Sequence, residues 1–521
     1  MSFRWQQRLA FALVFIAALI LLSPYSDLTL LTNDDFFRDP GHMYVRDGRW
    51  TAVPLLTFVD LAFSSQHVAK ALGITVLALS IAAASVLLGR AVADRSGAFW
   101  GMAVVYSFAI LGLPNFMWGP AIWYIALAVL GHAISAISLG RVSRKEHPSW
   151  SDIALWLTGL LVTYFAYQPL AVVTLFLWIA VSGIGNTKNV FSRAKNLVVA
   201  PLIGLAALGV TTVVLYIAVP SSRIESSAGV VQGLSDAFTA IASAYTRTHQ
   251  LPLVMAAVVA VVGALIASRS IGRFGEVMTR VGLSGLGAVI VLAAGPILLL
   301  EGTDERFTTA LLVAVVIGFS AILFRGVSVG KSEGRAPAVA LWWFGLGPGL
   351  ITSTAVALYA VGATNQASAL VVAVGVWVVL AAGVLAMKIP LNREVFTAVS
   401  IVALLLVSLG LVRTQVFDNR ISMALDRSIA DEVALSVAAM NFERGTSLRV
   451  SYEVVGDAPW YSTLLRTHNS GEVVLGTYLA ALNPLDIEVV LVKDRCEADR
   501  DGLVETTQVS DSEVLVCVRF E

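Results

Sequence analysis

Residues 71–90 read ALGITVLALSIAAASVLLGR, an apolar stretch that ends on a single arginine, Arg90. A helix needs about 20 residues to cross the hydrocarbon of a bilayer. Inside that hydrocarbon every backbone N–H and C=O must be paired within the segment itself, so the stretch has to be helical. A membrane-crossing helix is therefore expected over 68–89. Working outward, the same pattern recurs at 9–23, 98–116, 119–140, 152–167, 169–184, 197–219, 251–268, 282–300, 306–324, 337–361, 367–387 and 395–412. The expected architecture is an all-α polytopic membrane protein of about thirteen spans over residues 1–412.

Composition agrees with that reading. Of 521 residues, 57% are hydrophobic and 13% are charged, where soluble domains carry about 25% charged residues. Thirty-five basic residues balance 35 acidic ones, so bulk charge gives no reason to expect a nucleic-acid partner. The distribution of charge matters more. Arg4 and Arg8; Arg90 and Arg95; Arg141, Arg144 and Lys145; Lys188, Arg193 and Lys195; Arg269, Arg273 and Arg280; Arg325, Lys331 and Arg335; and Lys388 with Arg393 fall on every second loop. Basic loops face the cytoplasm. The N-terminus is thus expected inside, and an odd number of spans puts the C-terminal tail outside. The first apolar segment is read as an uncleaved helix, because Leu22-Ser23-Pro24-Tyr25 offers no small-residue cleavage site. Spans 152–167 and 169–184 are short and meet at Tyr167-Gln168-Pro169, which reads as a tight hairpin at the membrane edge.

The first outer loop, 24–67, is long. Its last part, Val53 to Phe63, is apolar but too short to span, and fits an interfacial helix with Trp50 as its anchor. From residue 413 the apolar runs shorten. A helical pattern covers 418–443, with Ile421, Leu425, Ile429, Val433, Leu435 and Val437 as its apolar positions. Strand-like pieces follow at Ser447–Val455, Ile487–Val492 and Val514–Phe520. A small extracytoplasmic α/β domain is expected over 413–521. It holds both cysteines, Cys496 and Cys517. Two readings stay open for them: a disulfide, permitted outside the cytoplasm, or two unpaired thiols.

No Walker loop, zinc-ligand spacing or nucleophile elbow is present in convincing form. Gly345-Leu346-Gly347-Pro348-Gly349 reads as close helix packing, and His132, inside a span, as a buried hydrogen-bonded side chain. Asp34-Asp35 is different, because it lies just past the outer end of the first helix. A carboxylate in a partly dry cleft is suited to general-base work, and adjacent residues point in different directions, so one of the two should face substrate directly. The alternative is a helix cap formed by Asn33, Asp34 and Asp35. Arg38, Arg46, Arg49 and Arg306 sit on the outer side, where guanidinium groups suit phosphate. Pairing with Asp34, Asp39, Asp47 or Glu305, or with lipid headgroups, is the other reading.

Asn33-Asp34-Asp35 followed by Arg38 and then Asp47-Gly48-Arg49, just after a first membrane helix, resembles the serotype-converting O-antigen glucosyltransferases of the Gtr type II group, within the GT-C class of integral-membrane glycosyltransferases. Tyr167-Gln168 and Arg306 add to the resemblance. The second outer loop departs from it: Leu113-Pro114-Asn115-Phe116-Met117-Trp118-Gly119-Pro120 lacks the charged residue that family tends to carry there. The resemblance implies a bacterial inner-membrane enzyme with a GT-C-like fold. Such an enzyme moves a glucose-like hexose, with inversion, from a polyprenyl-phosphate carrier to a cell-envelope polysaccharide or glycolipid. It implies Asp34 or Asp35 as the base and Arg306, with Arg38 or Arg49, on the donor phosphate. Tyr167, Gln168, His42 and Trp50 are the expected substrate contacts. A divalent cation, Mg2+ or Mn2+, held beside Asp34 and Asp35 stays open. Two other classes compete: a transporter or flippase of lipid-linked saccharide, and a non-catalytic protein of envelope assembly.

Overall fold

The computed structural model describes residues 3–26, 51–63, 66–92, 119–142, 149–184, 200–211, 448–455, 487–492 and 504–519, with shorter pieces at 99–110, 214, 420–440 and 495–496. The described residues are mostly helical, with a small sheet near the C-terminus, and the chain divides into two compact units, the second of which includes residues 412 onward. The predicted spans from 251–268 to 395–412 lie outside the described residues.

In the first unit α1 is Phe3–Leu22, α2 Ala52–Ala62, α3 Gln66–Val92, α4 Gly119–Val142, α5 Trp150–Ala166 and α6 Gln168–Ile184; α7 covers 200–211. Among the described residues three segments, Arg4–Ser26, Val68–Ala91 and Ile122–Arg141, are long and apolar enough to cross a membrane. Their exposed faces support the same conclusion. On α1, Leu9, Leu13, Ile16 and Ile20 are exposed at helical spacing while Ala10, Val14, Ala18 and Leu21 are buried. A helix that is apolar on both faces suits lipid on one side and protein on the other. These helices mark the chain as a membrane protein.

Helix α2, at 11 residues, is about 16 Å long, half of what a span requires. It buries Leu56 and Val59 and leaves Phe58 and Leu61 exposed, Leu61 at 84%. Phe63, just past its end, donates its N–H to Val59 O and stacks on Trp123 of α4 at 6.4 Å.

Helices α4 and α5 pack antiparallel and unusually close. Thr163 Oγ1 donates to Ala128 O (3.2 Å) and Ser135 Oγ to Trp156 O (3.3 Å), and Ser138 Oγ donates to Asp152 O. As the α4 residue number rises through these pairs, the α5 number falls. Between them the two backbones meet at glycines. A Cβ on Gly131 would stand 2.7 Å from Gly159 O, and one on Gly159 would stand 2.6 Å from Gly131 O. Lipid tails are as apolar as leucine, so helices in a membrane associate through such small-residue contacts and polar links rather than through the hydrophobic effect. At the start of α5 the buried Asp152 accepts from Ser149 N (3.1 Å) and Ser149 Oγ (2.6 Å), satisfying the first turn, and its other oxygen lies 3.9 Å from Arg141 Nη1 at the end of α4.

In the second unit, β1 (Leu448–Val455), β2 (Ile487–Leu491), β3 (Val504–Ser510) and β4 (Glu513–Arg519) form one sheet in the order β2-β1-β4-β3. β1 runs parallel to β2 and to β4, and β3 pairs antiparallel with β4. Period-two alternation sends Leu448, Val450 and Tyr452 of β1, with Val514, Val516 and Val518 of β4, into a core with Ile429, Ala430, Val433 and Val437 of the helix over 427–439, α8. The sequence expected Leu435 among the apolar positions of that helix, but it is 73% exposed. Two residues along a helix turn the side chain about 200°, so Leu435 cannot share a face with Val433.

The opposite face of the sheet is polar and stapled. Cys496, beyond β2, is disulfide-bonded to Cys517 of β4, with Cα atoms 5.8 Å apart. Glu453 of β1, the register partner of Cys517, accepts from the backbone N–H groups of Arg495 (2.7 Å) and Cys496 (2.8 Å). The bond closes a loop with a sequence separation of 21, which by chain entropy is worth about 3 kcal/mol. Cys496→Ser should lower the midpoint for thermal proteolysis of the tail in the purified chain by on the order of 15 °C. An unchanged midpoint would show that the bond contributes no stability.

Beside the staple, Glu513 Oε1 accepts from Arg495 Nη1 (2.6 Å) and Ser451 Oγ (2.8 Å). The Arg495 hydrogen bond, then that of Ser451, holds the Glu513 carboxyl below the usual carboxylate range. Its stabilisation is therefore fully present above about pH 4.3, the unperturbed value, and is lost as pH falls below it. Acid titration of the tail's melting midpoint should show a shallower fall for Glu513→Gln than for the parent chain. Parallel curves would contradict this.

Candidate functional site

The hairpin that the sequence placed at Tyr167-Gln168-Pro169 is formed by α5 and α6. Tyr167 alone separates them, in an extended conformation with φ −154° and ψ 98°. Its N–H still caps Thr163 O (2.7 Å), while its own carbonyl accepts from Leu170 N (3.1 Å). One residue thus ends one helix and begins the next. Trp156 and Trp178, equidistant in sequence from Tyr167, meet with ring centroids 4.9 Å apart, which fixes the antiparallel pairing of the arms.

At the apex Tyr167 is buried and stacks on Tyr124 of α4 at 6.1 Å, whereas Gln168 is partly exposed. Directly beneath lies a buried polar chain. His132 of α4 has Nε2 2.9 Å from Leu170 O and Nδ1 2.6 Å from the Tyr106 hydroxyl. A carbonyl only accepts, so Nε2 carries the proton, and in the neutral ring the Tyr106 hydroxyl donates to Nδ1. Leu170 O also receives Thr174 Oγ1 at 3.1 Å. Polar groups at such depth must be satisfied by protein, and this chain fixes the first turn of α6 below Gln168. His132 acts here as a structural hydrogen-bonding group. Tyr106, its hydrogen-bond partner, and Tyr124, which stacks on Tyr167, stand out in no local sequence pattern, because their partners are remote along the chain.

Of the site residues expected from sequence, the structure describes Tyr167, Gln168, Cys496 and Cys517, and it also describes His132, which the sequence read as a buried hydrogen-bonded side chain. Asp34, Asp35, Arg38, His42, Arg49, Trp50 and Arg306 lie outside the described residues. Among the described residues no three His, Cys, Asp or Glu side chains gather as metal ligands. The chain matches no protein-family model, no curated protein and no solved structure.

Proposed function

We propose that the chain is an inverting glycosyltransferase of the GT-C type, working from the extracytoplasmic face of a bacterial plasma membrane. It moves a glucose-like hexose from a polyprenyl-phosphate carrier to a cell-envelope glycan. The observation that carries the reading is the acidic and basic constellation Asn33-Asp34-Asp35, Arg38 and Asp47-Gly48-Arg49, placed just after the first membrane helix. Three apolar spans, a hairpin that presents Gln168 at its tip, and a disulfide in the tail support it, since disulfides persist outside the reducing cytoplasm. The finer topology is part of the same proposal: about thirteen spans, the N-terminus inside and the tail outside.

In this mechanism Asp34 or Asp35 takes the proton of the acceptor hydroxyl. The oxygen attacks the anomeric carbon opposite the phosphate, the carbon–phosphate oxygen bond breaks, and polyprenyl phosphate departs. Arg306, with Arg38 or Arg49, neutralises the charge that develops on it. Tyr167, Gln168, His42 and Trp50 position the sugars, and a Mg2+ or Mn2+ ion beside the aspartates is compatible with two carboxylates plus substrate phosphate.

The test is direct. Purified protein in sealed lipid vesicles is given radiolabelled polyprenyl-phosphate glucose and envelope glycan acceptors. Transfer of label to acceptor is expected. Flipping of the carrier without transfer would favour a flippase, and neither activity would leave an assembly role.

A further inference from the structure

We propose that the N-terminal end of α1 and the adjoining end of α3 form a binding site for one anionic glycerophospholipid, seating its phosphate between Arg4 and Arg8. Arg4, Gln7, Arg8 and Phe11 recur at the spacing that puts side chains on one helix face, and with Val86 of α3 they line a groove of about 460 Å³. Three of these five residues end in hydrogen-bond donors or cations and none is acidic. Both arginines are exposed, and among the described residues neither has a carboxylate partner. Among the described residues Gln7 Nε2 has no acceptor although the atom is buried, a donor left over on a residue that lines the groove, where an unmade hydrogen bond is costly.

The chemistry of the groove changes along its length. The two guanidinium groups lie at the polar end of α1, and Phe11, which stacks on Phe15 at 6.5 Å, begins the apolar part together with Val86. An occupant that is anionic at one end and hydrocarbon at the other matches this order, and a phospholipid at the headgroup boundary has both. The guanidinium fork suits phosphate oxygens, and each basic side chain near an anionic bilayer surface adds attraction of a magnitude that makes two of them worth about thirtyfold in affinity. The groove is formed by helix ends away from Asp34, Arg306 and the hairpin in sequence, so it is independent of the sugar-transfer reading.

The test uses the purified full chain in detergent, titrated with phosphatidylglycerol, phosphatidylcholine or inorganic phosphate, with bound lipid read by native mass spectrometry and stabilisation by thermal melting. Phosphatidylglycerol is expected to bind and to raise the melting midpoint, and Arg4→Gln with Arg8→Gln should weaken it about thirtyfold. The double lysine variant, Arg4→Lys with Arg8→Lys, keeps the charge and should retain most of the binding, which separates loss of the site from loss of the fold. Equal binding of phosphatidylcholine, equal stabilisation by inorganic phosphate alone, or undiminished phosphatidylglycerol binding by the glutamine variant would each overturn the proposal.

Discussion

Gly131→Leu and Gly159→Leu are each expected to destabilise the folded protein by about 3–5 kcal/mol, whatever the chain's activity. The reason is that no neighbour can yield. An added Cβ at Gly131 meets Gly159 O at 2.7 Å and the Thr163 hydroxyl closer still; at Gly159 it meets Gly131 O at 2.6 Å and the Ser135 hydroxyl. Ordinary carbon–carbon contacts lie near 3.5–4.0 Å, and the obstructing atoms are backbone or short side chains rather than flexible tips. α4 and α5 would have to separate by about an ångström before the rest of the leucine is placed. Separation breaks the Thr163–Ala128, Ser135–Trp156 and Ser138–Asp152 hydrogen bonds together. Interhelical hydrogen bonds in membranes average about 0.6 kcal/mol each and overpacking costs about 1–3 kcal/mol, so a loss of about 3–5 kcal/mol is expected, a large part of a typical folding free energy. Gly209 of α7 is the control, because no described atom lies within 4 Å of an added Cβ there; Gly209→Ala should be neutral or slightly stabilising through helix propensity. Monodisperse yield and melting midpoint in detergent decide the matter. Leucine tolerated at both α4 and α5 glycines would show that the helices do not approach so closely.

The second large effect belongs to the proposed reaction. Asp34→Asn and Asp35→Asn keep the size and hydrogen-bonding reach of the side chain and remove its ability to take a proton. General-base catalysis is worth about 10²–10⁴ in rate, so one of the two variants should lose transfer by that factor while its melting midpoint stays within about 1 °C of the parent. The other should fall less, because neighbouring side chains cannot both face one hydroxyl. Arg306→Ala should lose about 10²–10³ through the unneutralised leaving group. Transfer unchanged in both aspartate variants would remove them from the mechanism.

The parts of the fold legible in the sequence are those written in local periodicity. The run from Val68 to Gly89 became the middle of α3, and Tyr167-Gln168-Pro169 marked the junction of α5 and α6 within a residue. β1, β2 and β4 followed from alternating β-branched residues. β3 did not, because Val504-Glu505-Thr506-Thr507-Gln508-Val509-Ser510 is an edge strand whose second half is exposed, and only Val504 packs against the core. With no buried face to impose alternation, its pattern is weak. The Gly131–Gly159 contact and the Tyr106–His132–Leu170 chain were also illegible, since each joins residues that tertiary packing alone brings together. For the proposed site the position is reversed: Asp34, Asp35, Arg38, Arg49 and Arg306 rest on sequence reading, and the structure adds the hairpin that carries Gln168.

In the proposed mechanism these carboxylates and guanidinium groups, distant in sequence, share one lipid-accessible chamber. A cryo-electron-microscopy structure of the chain with polyprenyl phosphate bound would decide this. The phosphate is expected within about 3 Å of the Arg306 guanidinium, with Asp34 or Asp35 and the Gln168 tip lining the same cavity and the prenyl tail in a groove between spans. A phosphate bound elsewhere, with both aspartates facing bulk water far from Arg306, would contradict it.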